Sequence, residues 1–387
     1  MALLPAVWLA LAAWPQAPDP QAFEGIDPKA VDRAVADGVE FLKRLKDQKG
    51  DPRTDELVLL ALLTAGVAED DPTFAAVLKR VLAAPLEATY NVSLQAMVLE
   101  KLDPQRHLPR IYECAQFLAD NQCRNGQWSY GQPIAPVKAP VASPASKPKG
   151  STRAVRKLAV APRPPLGGPG GENQRDAGDF SNTQYAALGI RACHDAGIVF
   201  PRELVQRARE AWLDGQEKAP SGRAVATGAA PRGWAYRTQH PDAYGSMTAG
   251  GVGAVAIYDS ILGIDLKRDP AVQSGLAWLA RHFTVKVNPE RNGNYYHHYY
   301  LYGLERAGAL CGTEKLGANW WYREGAAFLL ETQVRGGAWR DEGEGGNGWG
   351  ESLRDTCFAI LFLRRATKPL VDVASVDRLR PAANPSR

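Results

Sequence analysis

Cysteine, methionine and long apolar runs are scarce in this chain of 387 residues, which contains five cysteines and three methionines. Five scattered cysteines do not suit a disulfide framework, so we expect mostly free, buried thiols. Their spacings match no strong signature of a structural zinc site, and we expect neither a metal ion nor another cofactor. Beyond the N-terminus no apolar run is long enough to cross a bilayer, which predicts the absence of a transmembrane span.

Acidic residues are missing from residues 131–171, a stretch rich in proline, alanine and basic side chains. Such a composition buries too little apolar surface to fold, so we expect a disordered insertion. Its basic residues are Lys138, Lys147, Lys149, Arg153, Arg156, Lys157 and Arg163. Without them the net charge of +4 falls slightly below zero. A nearly neutral body gives no reason to expect nucleic acid as a partner.

The first 17 residues combine an apolar run with small residues at Ala12, Ala13 and Ala17. The run is about as long as the core of a signal peptide and too short to span a bilayer. No basic residue precedes it, and a buried N-terminal helix is the alternative interpretation. We expect a signal peptide at 1–17 and a linker at 18–27, and therefore an exported protein that is periplasmic or secreted.

One pattern recurs along the rest of the chain. In each copy an aromatic residue precedes a leucine, and a glutamine lies four residues after that leucine. A glycine follows, and a second aromatic residue lies two positions after the glycine. The clear copies lie at 117–128 and 328–339, with weaker copies near Phe41, Trp212 and Trp278. Repetition at several tens of residues indicates stacked helix pairs. We expect the glutamine to satisfy backbone groups at a helix end and the aromatic residue to pack over the turn.

Each copy is followed by a second helix that is apolar almost all round, which predicts burial. Six helix pairs result, with amphipathic helices in an outer ring and apolar helices in an inner ring; an open superhelix is the alternative. The pairs cover residues 28–66, 70–102, 104–197, 201–263, 269–312 and 314–366, followed by a C-terminal tail at 367–387.

These repeats and buried inner helices resemble the prenyltransferase/squalene-oxidase repeat family, which includes squalene/hopene cyclases and protein prenyltransferase β subunits. The resemblance covers residues 28–366 and implies an all-α fold, the (α/α)6 toroid of six helix pairs with inner and outer rings. It leaves the chemistry open, because one fold hosts different activities.

Class II cyclases of this family protonate an alkene with the middle acid of an Asp-x-Asp-Asp-Thr motif. The matching segment here begins at Asp179, but Ser181 and Asn182 stand at the acid and its neighbour, and neither can protonate an alkene. A second segment offers Asp355, which also stands where a prenyltransferase has its zinc-binding histidine. Asp179 and Asp355 are the candidate catalytic residues, and we expect no zinc site of the prenyltransferase kind.

The mouth of a toroid is built by the first turns of the inner helices. These predict a ligand-binding cavity lined by Asn182, Gln184, Tyr185, Thr248, Tyr295, His298, Tyr299, Tyr302, Trp339 and Asp355. Tyr295, Tyr299 and Tyr302 would share one helical stripe, with His298 beside Tyr302. Such a wall suits an isoprenoid, a flat ligand or a sugar. Ordinary core tyrosines with satisfied hydroxyls are the alternative interpretation.

The resulting hypothesis is an exported toroid that binds a small lipophilic molecule, or an extended glycan or peptide, in a central aromatic cavity. We expect neither class II cyclase nor zinc prenyltransferase activity. One alternative is an active isoprenoid enzyme with a non-standard acid. The other is a carbohydrate-active toroid that uses carboxylates between Asp341 and Glu351, since glycoside hydrolysis needs two at a set separation. Oligomeric state is not predicted.

Overall fold

The computed structural model describes residues 19–49, 54–139, 158–163, 176–218, 229–238, 242–291, 295–340 and 349–370. Twelve α-helices make up most of the described fold. The outer helices are α1 (Pro28–Lys49), α3 (Pro72–Ala83), α5 (Leu108–Asp120), α7 (Arg202–Gly215), α9 (Pro270–Arg281) and α11 (Trp321–Thr332). The inner helices are α2 (Asp55–Thr64), α4 (Thr89–Leu102), α6 (Phe180–Asp195), α8 (Gly245–Leu262), α10 (His297–Cys311) and α12 (Trp349–Leu363). The predicted all-α class is confirmed.

The inner helices form a closed ring. They contact one another in chain order, and α12 contacts α2 again. The last and the first outer helices, α11 and α1, also contact each other. Buried residues run along nearly the whole of α8, as expected for a helix covered on every side. The double ring predicted from the sequence is therefore confirmed, and the open superhelix is excluded.

Two outer helices begin with the same local device. Asp71 precedes Pro72 at the start of α3, and its side chain accepts hydrogen bonds from the backbone N–H groups of the first turn. Asp269 and Pro270 repeat this arrangement at the start of α9. The aspartate satisfies backbone donors that would otherwise have no partner, and the proline occupies a position where no N–H is needed.

Three buried turn clusters join successive outer helices. We define them as Gln122–Trp128–Thr183, Gln216–Trp234–Thr248 and Gln333–Trp339–Thr356. The Gln122 amide donates to the carbonyls of Gly126, in its own turn, at 3.2 Å and of Leu204, on α7, at 2.9 Å. Gln216 bonds in the same way to its own turn and to α9, and Gln333 to its own turn and to α1. Because the last cluster reaches α1, it helps to close the ring.

The tryptophan and threonine of each turn cluster connect the outer helix to its inner partner. The Trp128 indole donates to the Leu118 carbonyl at 2.9 Å, and its backbone N–H donates to Thr183 Oγ1 at 3.0 Å. The same two bonds recur at Trp234 and at Trp339. Thr183, which stands where the cyclase motif ends in threonine, is therefore part of a turn cluster.

The described parts of the insertion differ from the expected disorder. Leu158–Ala159 (β1) pairs in parallel with Ile198–Val199 (β2), while Lys315–Leu316 (β3) and Asn319–Trp320 (β4) form a small hairpin elsewhere. Arg163 bonds Asp120 on α5 at 2.9 Å. The disorder predicted for 131–171 is not found at 158–163, which backbone pairing and this ion pair hold against the toroid. It is not found at 131–139 either, where the Gln132 backbone exchanges two hydrogen bonds with the Asn121 side chain.

Several other sequence predictions concern the chain as a whole. No disulfide joins any of the five cysteines, as expected. In the described part of the chain, no helix is long and apolar enough to cross a membrane. The predicted signal peptide at 1–17 lies outside the described residues, as do residues 140–157 and 164–171 of the insertion and 371–387 of the tail.

Candidate binding site at the centre of the inner ring

A connected group of polar side chains lies inside the inner ring. We call it the hydroxyl–arginine cluster and define it as Tyr90 on α4, Ser181 and Gln184 on α6, and Tyr299 and Arg306 on α10. The Tyr90 hydroxyl is hydrogen-bonded to Ser181 Oγ. The Tyr299 hydroxyl lies 3.2 Å from Ser181 Oγ and 3.4 Å from the Tyr90 hydroxyl. Three inner helices thus bring three hydroxyl groups to one point.

The cluster continues inward from these hydroxyls. Gln184 Nε2 donates to the Tyr299 hydroxyl, and Gln184 Oε1 accepts from Arg306 Nη2 at 3.0 Å. Tyr90 and Ser181 are half-buried near the N-terminal ends of their helices, whereas Gln184 and Arg306 are buried. The polar chain therefore leads from the mouth of the ring to a buried guanidinium group.

Gly250 on α8 makes room for this arrangement. A Cβ atom at that position would lie 2.5 Å from Gln184 Oε1, which is closer than real contacts allow. The absence of a side chain lets the glutamine amide fit between α8 and α10.

Aromatic rings fill the space around the cluster. Tyr185 lies against Tyr90, with ring centroids 4.2 Å apart, and is nearly parallel to Tyr299 at 6.1 Å. Phe358 of α12 contacts Tyr299 at 5.6 Å and Tyr302 at 5.8 Å. In the described residues, these rings pack on one another in the region where the sequence predicts an aromatic cavity.

A cavity of about 70 Å³ lies at the opposite end of the ring, bordered by Met97, Leu188, Tyr302 and Thr367 among others. Pockets for drug-sized molecules measure about 300–1,000 Å³. This cavity is therefore too small for an isoprenoid chain.

The tyrosines of the site are neutral phenols. Burial raises the pKa values of Tyr90, Tyr185 and Tyr299 above the ordinary value, because the phenolate form loses its hydration. Arg306 is 3% exposed and lies 4.2 Å above the Tyr302 ring. The guanidinium therefore carries a positive charge that no phenolate offsets.

Asp179 caps a helix and is not placed as a proton donor. Its Oδ1 accepts from the Asn182 backbone N–H at 2.8 Å, and its Oδ2 accepts from the Asn182 side-chain amide at 2.9 Å. Both oxygens are thus engaged at the first turn of α6. The structure thus places Asp179 and Asn182, both predicted as site residues, in a hydrogen-bonded pair at the helix start.

Asp355 and His298 lie together near the start of α10. The His298 Nδ1 is 3.8 Å from Asp355 Oδ1, and both residues are buried. This proximity was not predicted, although both were candidate site residues.

Three other predicted cavity residues lie elsewhere. Thr248 and Trp339 belong to the turn clusters and are fully buried there. Tyr295 lies before the start of α10 at His297 and is 41% exposed, since Tyr296 has a left-handed backbone conformation with a φ of 61°. The predicted stripe therefore contains only Tyr299 and Tyr302. Gln184, Tyr185, Tyr299 and Tyr302 lie at the ring centre, as expected.

Tyr90 and Arg306 were missed as site residues. The signal for Arg306 was available, because a Glu-Arg pair interrupts an otherwise apolar inner helix. Tyr90 gave no comparable signal, because a tyrosine at a helix start is common. Of the acids between Asp341 and Glu351, Asp341, Glu342 and Glu344 lie outside the described residues, as does the Glu351 side chain. Among the residues that are described, no three His, Cys, Asp or Glu side chains form a metal-binding group.

Comparisons with known proteins support the fold and leave the chemistry open. No family model and no curated protein matches the chain. The crystal structure of a possible member of the GH105 family from Salmonella enterica serovar Paratyphi A matches with a TM-score of 0.51 and 9% identity, covering 94% of this chain and 98% of that chain. At this identity the similarity establishes the toroid fold alone.

Type II terpene cyclase structures from Scytonema also match, at a lower level. The apo enzyme has a TM-score of 0.31 and 13% identity, covering 87% of this chain and 99% of that chain. A variant in complex with geranylgeranyl dihydroxybenzoate has the same TM-score and identity, covering 87% and 97%. These scores are too low to support an argument about function.

Proposed function

We propose that this toroid is a binding module for a hydroxyl-bearing ligand, the end of an extended glycan, which it holds at the N-terminal mouth of the inner ring. The observation that carries the proposal is the convergence of the Tyr90, Ser181 and Tyr299 hydroxyls, with oxygens no more than 3.4 Å apart. Hydroxyl groups donate and accept hydrogen bonds and rotate to suit a partner, which fits the many hydroxyls of a sugar.

Aromatic surface near the same mouth supports a sugar. Tyr295 and Tyr296, just before α10, are 41% and 54% exposed. Tyrosine rings combine an apolar face with a polar edge, and sugars present the same combination of surfaces. The exposed rings and the hydroxyls could therefore contact successive parts of one extended ligand.

The proposal excludes class II cyclase chemistry. That reaction needs a carboxylic acid aimed at an alkene, and Ser181 stands at the corresponding position. Asp179 has both oxygens bonded to Asn182, which opposes a role as proton donor. A purified sample is therefore expected to form no cyclic product from squalene-type polyenes.

The lipophilic ligand predicted from the sequence is the second candidate. The aromatic contacts of Tyr299 favour it, since its ring stacks on Tyr185 and meets Phe358 edge to face. Against it stand the hydroxyl groups among those rings, because an isoprenoid would leave buried hydroxyls to bond only with one another. The glycan is therefore the preferred ligand.

Binding measurements distinguish the two candidates. A panel of neutral cello-, xylo- and malto-oligosaccharides is tested by calorimetry beside geranylgeraniol. We expect binding of an oligosaccharide, with affinity lost in Tyr299→Phe. Tyr300→Phe is the matched control, because its hydroxyl bonds the Thr284 carbonyl at 3.0 Å, outside the cluster. Binding of geranylgeraniol and of no oligosaccharide would overturn the proposal.

Export is a further part of the proposal. The apolar run and small residues of 1–17 support it. N-terminal sequencing of protein recovered from the periplasm or medium should give a mature chain that begins near residue 18. A full-length chain retained in the cytoplasm of the native host would contradict export.

A further inference from the structure

Arg306 is a buried cation without a hydrogen-bonded acid. Its Nη2 donates to the Gln184 side-chain oxygen at 3.0 Å, and its Nη1 is buried with no hydrogen-bond partner. The aromatic faces of Tyr302 and Tyr185 lie 4.2 and 5.7 Å from its central carbon. These contacts hold the guanidinium in place but leave donor groups unused.

The neighbouring acid, Glu305, does not accept a hydrogen bond from Arg306. Glu305 follows the same helix but directs its carboxylate to the chain after α12, accepting from the Thr367 backbone N–H at 3.0 Å and from the Thr367 hydroxyl at 2.7 Å. It acts on Arg306 through space, without a hydrogen bond between them. No ion pair involving Arg306 occurs in the described residues.

An unpaired buried charge is costly. Removing an ion from water costs several kcal/mol even after relaxation, and buried charges are usually paired. The cation–π contact with Tyr302 offsets part of such a cost. The remaining deficit would be offset by a negatively charged group that reaches Nη1.

The hydroxyl–arginine cluster provides the route for such a group. Half-buried Ser181 is hydrogen-bonded to Tyr299, and Tyr299 accepts from Gln184. Gln184 in turn accepts from Arg306, so the chain of bonds runs from the mouth to the guanidinium. An oxyanion that enters from the mouth can replace the Tyr299–Gln184 bond with bonds of its own. Guanidinium groups bind carboxylates and phosphates more strongly than they bind neutral acceptors.

We propose that Arg306 is the receptor for an oxyanion, a carboxylate or a phosphate, carried by the hydroxyl-bearing ligand. This inference rests on the proposed function and adds the ligand's charge. Tyr90, Ser181 and Tyr299 bind the hydroxyls, and Arg306 selects a ligand with an acidic end.

The test compares three sugars that share one ring. Glucose, glucuronate and glucose 6-phosphate are titrated into the full chain, together with inorganic phosphate. A charge-assisted hydrogen bond contributes about 1.5–3 kcal/mol, so at least one charged sugar should bind roughly tenfold more tightly than glucose. Which of them binds more tightly separates a carboxylate ligand from a phosphate ligand.

Substitutions then assign the preference to Arg306. Arg306→Gln should abolish the difference between charged and neutral sugars, and Arg306→Lys should retain part of it. Arg106→Gln removes a surface arginine that pairs with Glu69 at 2.8 Å, and it should leave the preference unchanged. Equal affinity of the native chain for glucose and both charged sugars would overturn the inference.

Gln184→Glu tests the inference even if Arg306 variants fail to fold. The new carboxylate would lie beside Arg306 Nη2 and supply the missing charge within the protein. We expect a higher melting temperature and loss of the preference for charged sugars. A variant that keeps this preference would contradict the inference.

The outcomes separate this inference from the proposed function. Binding of inorganic phosphate that is lost in Arg306→Gln, without binding of any sugar, would support the oxyanion site while the glycan proposal fails. Equal binding of neutral and charged sugars would support the glycan proposal while the oxyanion inference fails.

Discussion

The turn clusters and the hydroxyl–arginine cluster differ in how completely their polar groups are paired. In each turn cluster the glutamine amide, the indole N–H and the tryptophan backbone N–H all have acceptors. In the hydroxyl–arginine cluster Arg306 Nη1 has none. The first arrangement occurs three times around the ring, and the second occurs once. A repeated and fully paired arrangement serves the architecture, whereas a single arrangement with an unpaired buried donor is suited to a ligand.

Trp234→Ala should have the largest effect on stability. The indole is fully buried and donates to the Trp212 carbonyl at 2.7 Å. Loss of a buried tryptophan removes about 3–5 kcal/mol from the free energy of unfolding, measured by guanidinium denaturation. Tyr295→Ala, at an exposed position, should change it by less than about 0.5 kcal/mol. A similar change in the free energy of unfolding for both variants would contradict the architectural role of the turn cluster.

Two adjacent glycines on α8 each contact one of the two regions, so substituting them tests the regions one at a time. A Cβ at Gly251 would lie 2.6 Å from the Trp234 ring, and one at Gly250 would lie 2.5 Å from Gln184 Oε1. Gly251→Ala should destabilise the chain by about 1–3 kcal/mol, because a rigid ring must move. Gly250→Ala should cost less and should weaken ligand binding, because it displaces a flexible amide. Calorimetry and denaturation of both variants check this, and reversed effects would refute the assignment.

Two residues of the first turn of α6 provide a matched pair. Thr183→Val removes the acceptor of the Trp128 N–H and should cost about 1–3 kcal/mol, because that donor stays buried. Ser181→Ala should leave stability nearly unchanged and lower oligosaccharide affinity. If Ser181→Ala lowers the stability without changing the affinity, Ser181 has a structural role and does not bind the ligand.

Asp179→Asn should have the smallest effect. Asparagine also caps helices, and turning the Asn182 amide would let its unpartnered oxygen accept from the new side chain. Mainly the interaction of the charge with the helix dipole is then lost, about 0.3–1 kcal/mol. Ligand affinity should be unchanged. A cyclic product formed from a squalene-type polyene by the native chain, and absent with the variant, would show that Asp179 acts as an acid.

The sequence allowed the helices and their order to be predicted, but only some of the candidate site. Periodicity distinguished amphipathic from apolar helices because that pattern is local to each segment. Tyr295 was wrongly placed because a left-handed residue at Tyr296 starts α10 later than the aromatic pattern indicates. Asp179 was considered as an acid because its residue type fits that role, while its hydrogen bonds to the first turn were not visible in the pattern.

The sequence by itself determined the all-α class, the six helix pairs and the absence of disulfides, because hydrophobic periodicity and residue spacing report local burial. Only the tertiary structure decided which side chains meet at the ring centre. Tyr90, Ser181 and Arg306 come from three helices and lie up to 216 residues apart in the chain. Ring closure brings these residues together, and burial then raises the pKa of Tyr90 so that its hydroxyl stays neutral.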